Sequence, residues 1–312
     1  MAKYAGALPQ LQSDLYYLTD AGLETDLIFH GNLELPLFAS CVLLRTDDGM
    51  AALRAYFDGM ARIADQAGLG FIVDTATWRA NPDWTTQLGY SHDEFREANR
   101  AAAKLALDVR DQWERDIPMP VSGVVGPRGD GYRPGDLQSV EEARDYSSRQ
   151  VGVLAEAGVD FVSAITMNYP AEGAGIALAA QDVGLPVVIS FTVETDGNLA
   201  TGQSLAEAIA FVDEVTGSAP AYYMVNCAHP THLPTELKSD EPWAKRVRGY
   251  RANASILSHT ELDEAEDLDA GDIERLAAQL ADLAEAVPQL TILGGCCGTD
   301  NRHIAAIAAA IS

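Results

Sequence analysis

A chain of 312 residues, 47% of them hydrophobic, is long enough to bury a full core as one domain or two. Its 21 Lys and Arg stand against 46 Asp and Glu, for a formal charge of −25. So acidic a surface repels phosphate backbones and anionic lipid, which argues against nucleic-acid and membrane-surface roles and reads most simply as a solvated shell. Met1 to Asp20 lacks a basic segment followed by an apolar run, and no apolar stretch approaches the roughly 20 residues of a spanning helix. The expected location is the cytoplasm, where thiols stay reduced, so the four cysteines are not a disulfide scaffold.

Short apolar runs alternate with amphipathic stretches along the chain. Leu15 to Thr19 is predicted as a first strand, ending at Asp20-Ala21-Gly22. A helical pattern from Gly49 to Ala67 leads into a second strand at Gly70 to Thr75. A helix over Asn99 to Glu114 precedes a third strand, Val121 to Val125, and one over Val140 to Ala157 precedes a fourth, Phe161 to Thr166. Val187 to Thr192 is the fifth, and a helix from Ser204 to Val215 leads to the sixth, Ala221 to Asn226. A weaker run at Ala254 to Leu257 is the seventh, and Glu261 to Asp269 is an exposed acidic loop or helix lead-in. A helix over Asp272 to Val287 comes before the last strand, Leu290 to Leu293. The helices carry apolar residues at i, i+3 and i+4, with Ser204 and Asp272 as N-caps. Strands apolar on both faces, joined by helix-length crossovers, make a parallel sheet. About eight such units close most naturally into one α/β domain over 1–312, a single (β/α)8 TIM barrel; an open doubly wound sheet is the alternative.

Chemistry in such barrels gathers at the C-terminal ends of the strands. Directly after the last strand stands Gly294-Gly295-Cys296-Cys297-Gly298, and Cys227 closes the sixth as Val225-Asn226-Cys227. Adjacent cysteines rarely bridge to each other, and flanking glycines let the backbone turn sharply enough to aim both sulfurs at one site. Strands six and eight end close together at the mouth, so three thiolates there form a tetrahedral zinc site with one open position. The cysteines also admit a reading as small buried hydrophobes, which is how Cys41 is taken. His229 and His232 follow Cys227 closely, and as a fourth ligand either one makes the zinc structural.

These residues resemble the homocysteine S-methyltransferase family. Asn226-Cys227 with the Gly-Gly-Cys-Cys-Gly run is similar to that family's metal signature, and the likeness covers nearly the whole chain. Asp20-Ala21-Gly22-Leu23-Glu24-Thr25 is similar to the family's Asp-Gly-Gly opening after strand one. Asp74-Thr75-Ala76-Thr77 after strand two and Ser190-Phe191-Thr192 on strand five, with Gly197 and Gly202 beyond, continue it. The resemblance implies a (β/α)8 barrel, Zn2+ on Cys227, Cys296 and Cys297, a small-molecule thiol acceptor and a sulfonium methyl donor. It places Asp20, Gly22 and Thr75 at the amino-acid end of homocysteine, with Asn226 beside them; Asp20 also reads as a strand-end residue bonding turn amides. The expected reaction converts homocysteine to methionine with S-methylmethionine or S-adenosylmethionine. A thiol of pKa about 8.5 is deprotonated by the metal and displaces a methyl group in line, with no protein nucleophile. Trp78 and Tyr169 are candidates to cradle the donor's cation, or pack under loops.

One position departs from the family. After strand four it carries a glutamate that holds the substrate ammonium, and the matching residue here is Ile165. Either Glu24 or Glu194 substitutes, or the acceptor is another small thiol or selenol. Ala21 in place of the first family glycine is a milder change. Two further readings are a module presenting a zinc-bound thiolate to a separate methyl-corrinoid protein, and a barrel whose zinc is structural or absent.

Overall fold

The computed structural model describes residues 2–13, 15–265 and 267–312. Its strand segments are β1 (Tyr17–Leu18), β2 (Gly70–Phe71), β3 (Val73–Asp74), β4 (Val121–Val125), β5 (Phe161–Met167), β6 (Val187–Phe191), β7 (Tyr222–Ala228), β8 (Val247–Ala252) and β9 (Ile292–Gly295). All pairings are parallel, in the order β2-β1-β9-β8-β7-β6-β5-β4-β3. The two ends of that order are one strand. The amides of Gly70 and Ile72 donate to Tyr16 and Leu18 on one side, while those of Phe71, Val73 and Thr75 donate to Pro118, Pro120 and Ser122 on the other. Alternate amides of a single run thus bond both neighbours, and the sheet closes into a (β/α)8 barrel with eight strand positions.

The helices are α1 (Leu23–Phe29), α2 (Asp47–Ala67), α3 (Pro82–Gln87), α4 (His92–Trp113), α5 (Val140–Ala157), α6 (Pro170–Asp182), α7 (Leu205–Thr216), α8 (His259–Asp263), α9 (Ile273–Ala286) and α10 (Asn301–Ile311). Ser204 and Asp272 cap α7 and α9 as expected. The helix expected from Asn99 starts earlier, at His92, because Ser91 and Glu94 form a reciprocal capping box. Helix α6 carried no periodic signal, since nearly every face of it is buried among alanines and glycines. The connection from β7 to β8 has only 3-10 turns, Pro230–His232, Thr235–Lys238 and Ala244–Arg246. Pro230, Pro234 and Pro242 break any α-helix there.

The seventh strand is a correction. It is Val247–Ala252, whereas Ala254 to Leu257 is loop and Ile256 is 62% exposed. Arg248 and Arg251 made the true strand look polar, but Arg251 is buried between two aspartates inside the barrel. The acidic stretch from Glu261 begins in α8 and runs on as loop, with Glu266 outside the described residues. No helix among the described residues is long and apolar enough to cross a membrane.

One buried carboxyl sets a pH dependence. Glu172, in the first turn of α6, accepts the Arg128 amide at 2.7 Å, and burial pushes its pKa up to about 7. The folded chain keeps a proton that the unfolded chain releases near the ordinary value of 4.5. Stability therefore falls as pH rises from about 4.5 to about 7. Glu172→Gln is expected to make the fall in urea-unfolding free energy across that window less steep, leaving the part set by other buried carboxyls.

Candidate metal centre

Three elements deliver the sulfurs. Cys227 lies at the end of β7, and Cys296 and Cys297 follow β9 directly; β8 stands between them. The three Sγ atoms lie within 4.8 Å of one another, and those of Cys227 and Cys297 are 3.5 Å apart. They face a cavity of about 570 Å³ at the barrel mouth. The glycines around the pair have different tasks. Gly298 takes the left-handed turn (φ 80°), while a Cβ on Gly294 would lie 1.9 Å from Thr19 Oγ1. The first glycine of the run thus serves close packing rather than a turn.

The thiols differ electrically. Hydrogen bonds from the Cys227 and Cys297 thiols, together with Arg251, hold Cys296 well below the usual thiol range. Cys227 is pushed up, because its proton is given to Cys296 and Cys297.

Asn226 is fully buried behind the sulfurs and does not line the cavity. Its Oδ1 accepts from the Thr166 amide (2.9 Å) and Ser190 Oγ (2.7 Å). Its Nδ2 donates to Thr166 Oγ1 (2.8 Å) and lies 3.8 Å from Cys296 Sγ. This side chain ties β5, β6 and β7 together under the cysteines.

Asp20, Gly22, Glu24 and Thr75 all line the cavity, as does Ile165. Asp20 is paired with Arg251, whose other arm holds Asp74, and it accepts from Tyr56 Oη at 3.3 Å. Burial nonetheless pushes the Asp20 carboxyl up to about 7, against the pull of Arg251. A Cβ on Gly22 would lie 2.5 Å from the Cys296 carbonyl oxygen. The Thr75 hydroxyl is spent on the Val124 amide (2.9 Å) and Thr77 Oγ1 (2.6 Å). Glu24 accepts from Ser40 Oγ at 2.7 Å, and burial raises its pKa. Glu194 lies outside this cavity, bonded to His259 Nδ1 at 3.1 Å.

His229 and His232 are not in the sulfur cluster: His229 Nδ1 bonds Thr231 Oγ1 and His232 Nε2 bonds the Ile256 carbonyl. Cys41 is a buried core residue, its thiol pushed up to about 12 by burial. Trp78 lines the cavity and donates to the Ile165 carbonyl, but Arg79 already lies 4.9 Å from its ring and 4.2 Å from that of Trp84. Tyr169 does not face the cavity; it accepts the Gln138 amide.

Three residues escaped the sequence reading. Arg251 did so because its strand was missed. Tyr132 sits in a polar Gly-Asp-Gly-Tyr loop, yet its hydroxyl is 2.8 Å from Cys227 Sγ and 3.4 Å from Cys297 Sγ. His259 stacks on Tyr132 at 4.1 Å. Neither segment carried a periodicity that pointed to the site.

A parallel (β/α)8 barrel with three converging thiols at its C-terminal mouth places a candidate metal site where barrel enzymes carry their chemistry. The family model described as homocysteine S-methyltransferase matches residues 17–311, and the chain belongs to that family and is a methyltransferase. Homocysteine S-methyltransferase 2 of Arabidopsis thaliana is 23% identical, over 95% of this chain and 93% of its own. Selenocysteine Se-methyltransferase of Brassica oleracea var. italica is 25% identical, over 94% and 88%. The metallated form of the homocysteine methyltransferase MmuM from Escherichia coli has the same fold: TM-score 0.75 at 21% identity, covering 97% of this chain and 98% of that one.

Proposed function

We propose that the protein transfers a methyl group from S-methylmethionine or S-adenosylmethionine to homocysteine, with zinc on Cys227, Cys296 and Cys297. The observation that carries this reading is the convergence of the three sulfurs on the cavity. A tetrahedral site with zinc–sulfur bonds of about 2.3 Å sets its sulfurs about 3.8 Å apart, and the 3.5 Å between Cys227 and Cys297 suits it. Zinc bound there lowers the pKa of an acceptor thiol so that it is a thiolate at neutral pH.

The rest of the task falls to the chain. Asn226 orients Cys296, and Asp20, Arg251 and Asp74 form a rigid polar floor. The mouth holds the acceptor sulfur in line with the donor's methyl carbon. As the new S–C bond forms, the bond to the sulfonium sulfur breaks and its electrons stay on a neutral thioether. Negative side chains on the rim, Asp263, Asp267 and Asp269 among them, complement a cationic donor.

Ile165 leaves the ammonium of homocysteine without the family's carboxylate, and Glu24, one of the carboxylates on the cavity wall, takes its place in this reading. Glu24→Gln is then expected to raise KM for homocysteine about 10- to 100-fold with KM for the donor unchanged, the worth of one charge-assisted hydrogen bond. An unchanged homocysteine KM favours the second reading, a small thiol or selenol acceptor lacking that contact, for which Ile165 on the wall is the specific observation.

The deciding assay is methionine formation by zinc-loaded protein given homocysteine and S-methylmethionine, with no corrinoid protein added. Methionine that disappears on chelation and returns with zinc is the expected result. Protein that carries about one zinc yet forms no methionine, with either donor, rejects homocysteine as the acceptor.

A further inference from the structure

Cys227 is a non-glycine residue in left-handed backbone (φ 56°), a conformation that L side chains rarely hold without help. The help comes from one buried ring. His259, the first residue of α8, points Nε2 at the Cys227 carbonyl oxygen at 2.6 Å, and Thr192 Oγ1 donates to the same oxygen at 3.4 Å. At the other nitrogen, Nδ1 is 3.1 Å from Glu194 Oε1. The face of the ring lies on Tyr132, with centroids 4.1 Å apart and planes 15° from parallel. The Tyr132 hydroxyl returns to Cys227 Sγ at 2.8 Å. A single imidazole thus grips Cys227 through its backbone and, by way of Tyr132, through its sulfur. Glu194 and His259 are absent from the cavity wall, which Cys227 and Tyr132 line, so the ring acts from behind the wall.

We propose that His259, backed by Glu194, is a positioning residue that holds Cys227 and Tyr132 in the arrangement the metal requires. The proposal rests on the reading of the three cysteines as metal ligands. It gives Glu194 a task other than substrate binding: its carboxylate faces Nδ1 while the Cys227 carbonyl faces Nε2, and the ring donates to both acceptors when each nitrogen carries a hydrogen. It also joins α8, whose segment supplies Leu262 and Asp263 to the cavity wall, to a metal ligand through one side chain. Groups that orient ligands from behind are commonly worth about 10- to 100-fold in metal affinity.

The test loads the full chain with cobalt(II), whose thiolate charge-transfer absorption reports sulfur geometry, and measures affinity by competition with a chromophoric chelator. His259→Phe keeps a ring on Tyr132 but offers no N–H to the Cys227 carbonyl. It is expected to weaken cobalt binding about 10- to 100-fold and to alter the charge-transfer band. His259→Gln, which retains a side-chain N–H, is expected to recover most of both. Glu194→Gln, which leaves the histidine in place and does not depend on His259→Phe folding, is expected to weaken binding by up to about tenfold. If Glu194→Gln and His259→Phe match the parent in affinity and spectrum, the proposal is overturned while the metal reading stands. A parent chain that takes up no cobalt overturns both.

Discussion

Replacing Cys297 with alanine is expected to lower kcat/KM for methyl transfer by at least about a thousandfold and to leave the purified protein without stoichiometric zinc. Metal activation of a bound nucleophile contributes several kcal/mol, and each 1.36 kcal/mol is about a factor of ten in rate. The loss is this large because nothing nearby takes the place of the sulfur. Among the described residues the three cysteines are the one group of His, Cys, Asp or Glu placed to share an ion. His229 and His232 are committed to their own loop contacts. Cys41→Ala is the control: it removes a buried thiol that bonds the Arg79 carbonyl and is not in the sulfur cluster, and it is expected to leave zinc content at one per chain. Elemental analysis and initial rates on the two variants check the prediction. A Cys297→Ala protein that keeps one zinc and more than about a tenth of its rate contradicts it.

Arg251→Met is expected to have the largest effect on stability, a loss of about 3–5 kcal/mol, because it strips the cation from two buried carboxylates at once. It is read as a lower urea midpoint with an unchanged slope. The sign with pH follows from Asp20, whose carboxyl is already raised from its ordinary 3.8 to about 7 with Arg251 in place. Between those values the folded chain holds a proton that the unfolded chain has released, so stability falls as pH rises through that window. Without the guanidinium the carboxyl rises further. The defect of Arg251→Met is therefore greatest above about pH 7 and eases toward pH 5. Adding Asp20→Asn and Asp74→Asn removes the stranded charges and is expected to restore most of the loss. A triple variant no more stable than Arg251→Met at pH 8 would show that packing of the guanidinium, not charge, sets the cost.

Much of the architecture was legible because apolar burial is a local property. Val187-Val188-Ile189-Ser190-Phe191 is fully buried on both faces, and a run of that kind announces a parallel strand wherever it occurs. Caps such as Ser204 and Asp272 act over three residues and were equally plain. Helix α6 and strand β8 were lost for opposite reasons. The first is buried on nearly all sides and shows no period; the second hides an arginine in the barrel that local composition assigns to a loop.

By itself, then, the sequence determined the barrel, the family, and the three cysteines that end β7 and follow β9, because strand length, strand end and cysteine spacing are all written within a few residues of one another. Only the tertiary structure decided what surrounds them. Tyr132 reaches Cys227 across 95 positions, His259 meets Glu194 across 65, and Arg251 meets Asp20 across 231. A charge or a loop tyrosine acquires its role from partners that distant, and closing the barrel is the event that brings them within hydrogen-bonding range.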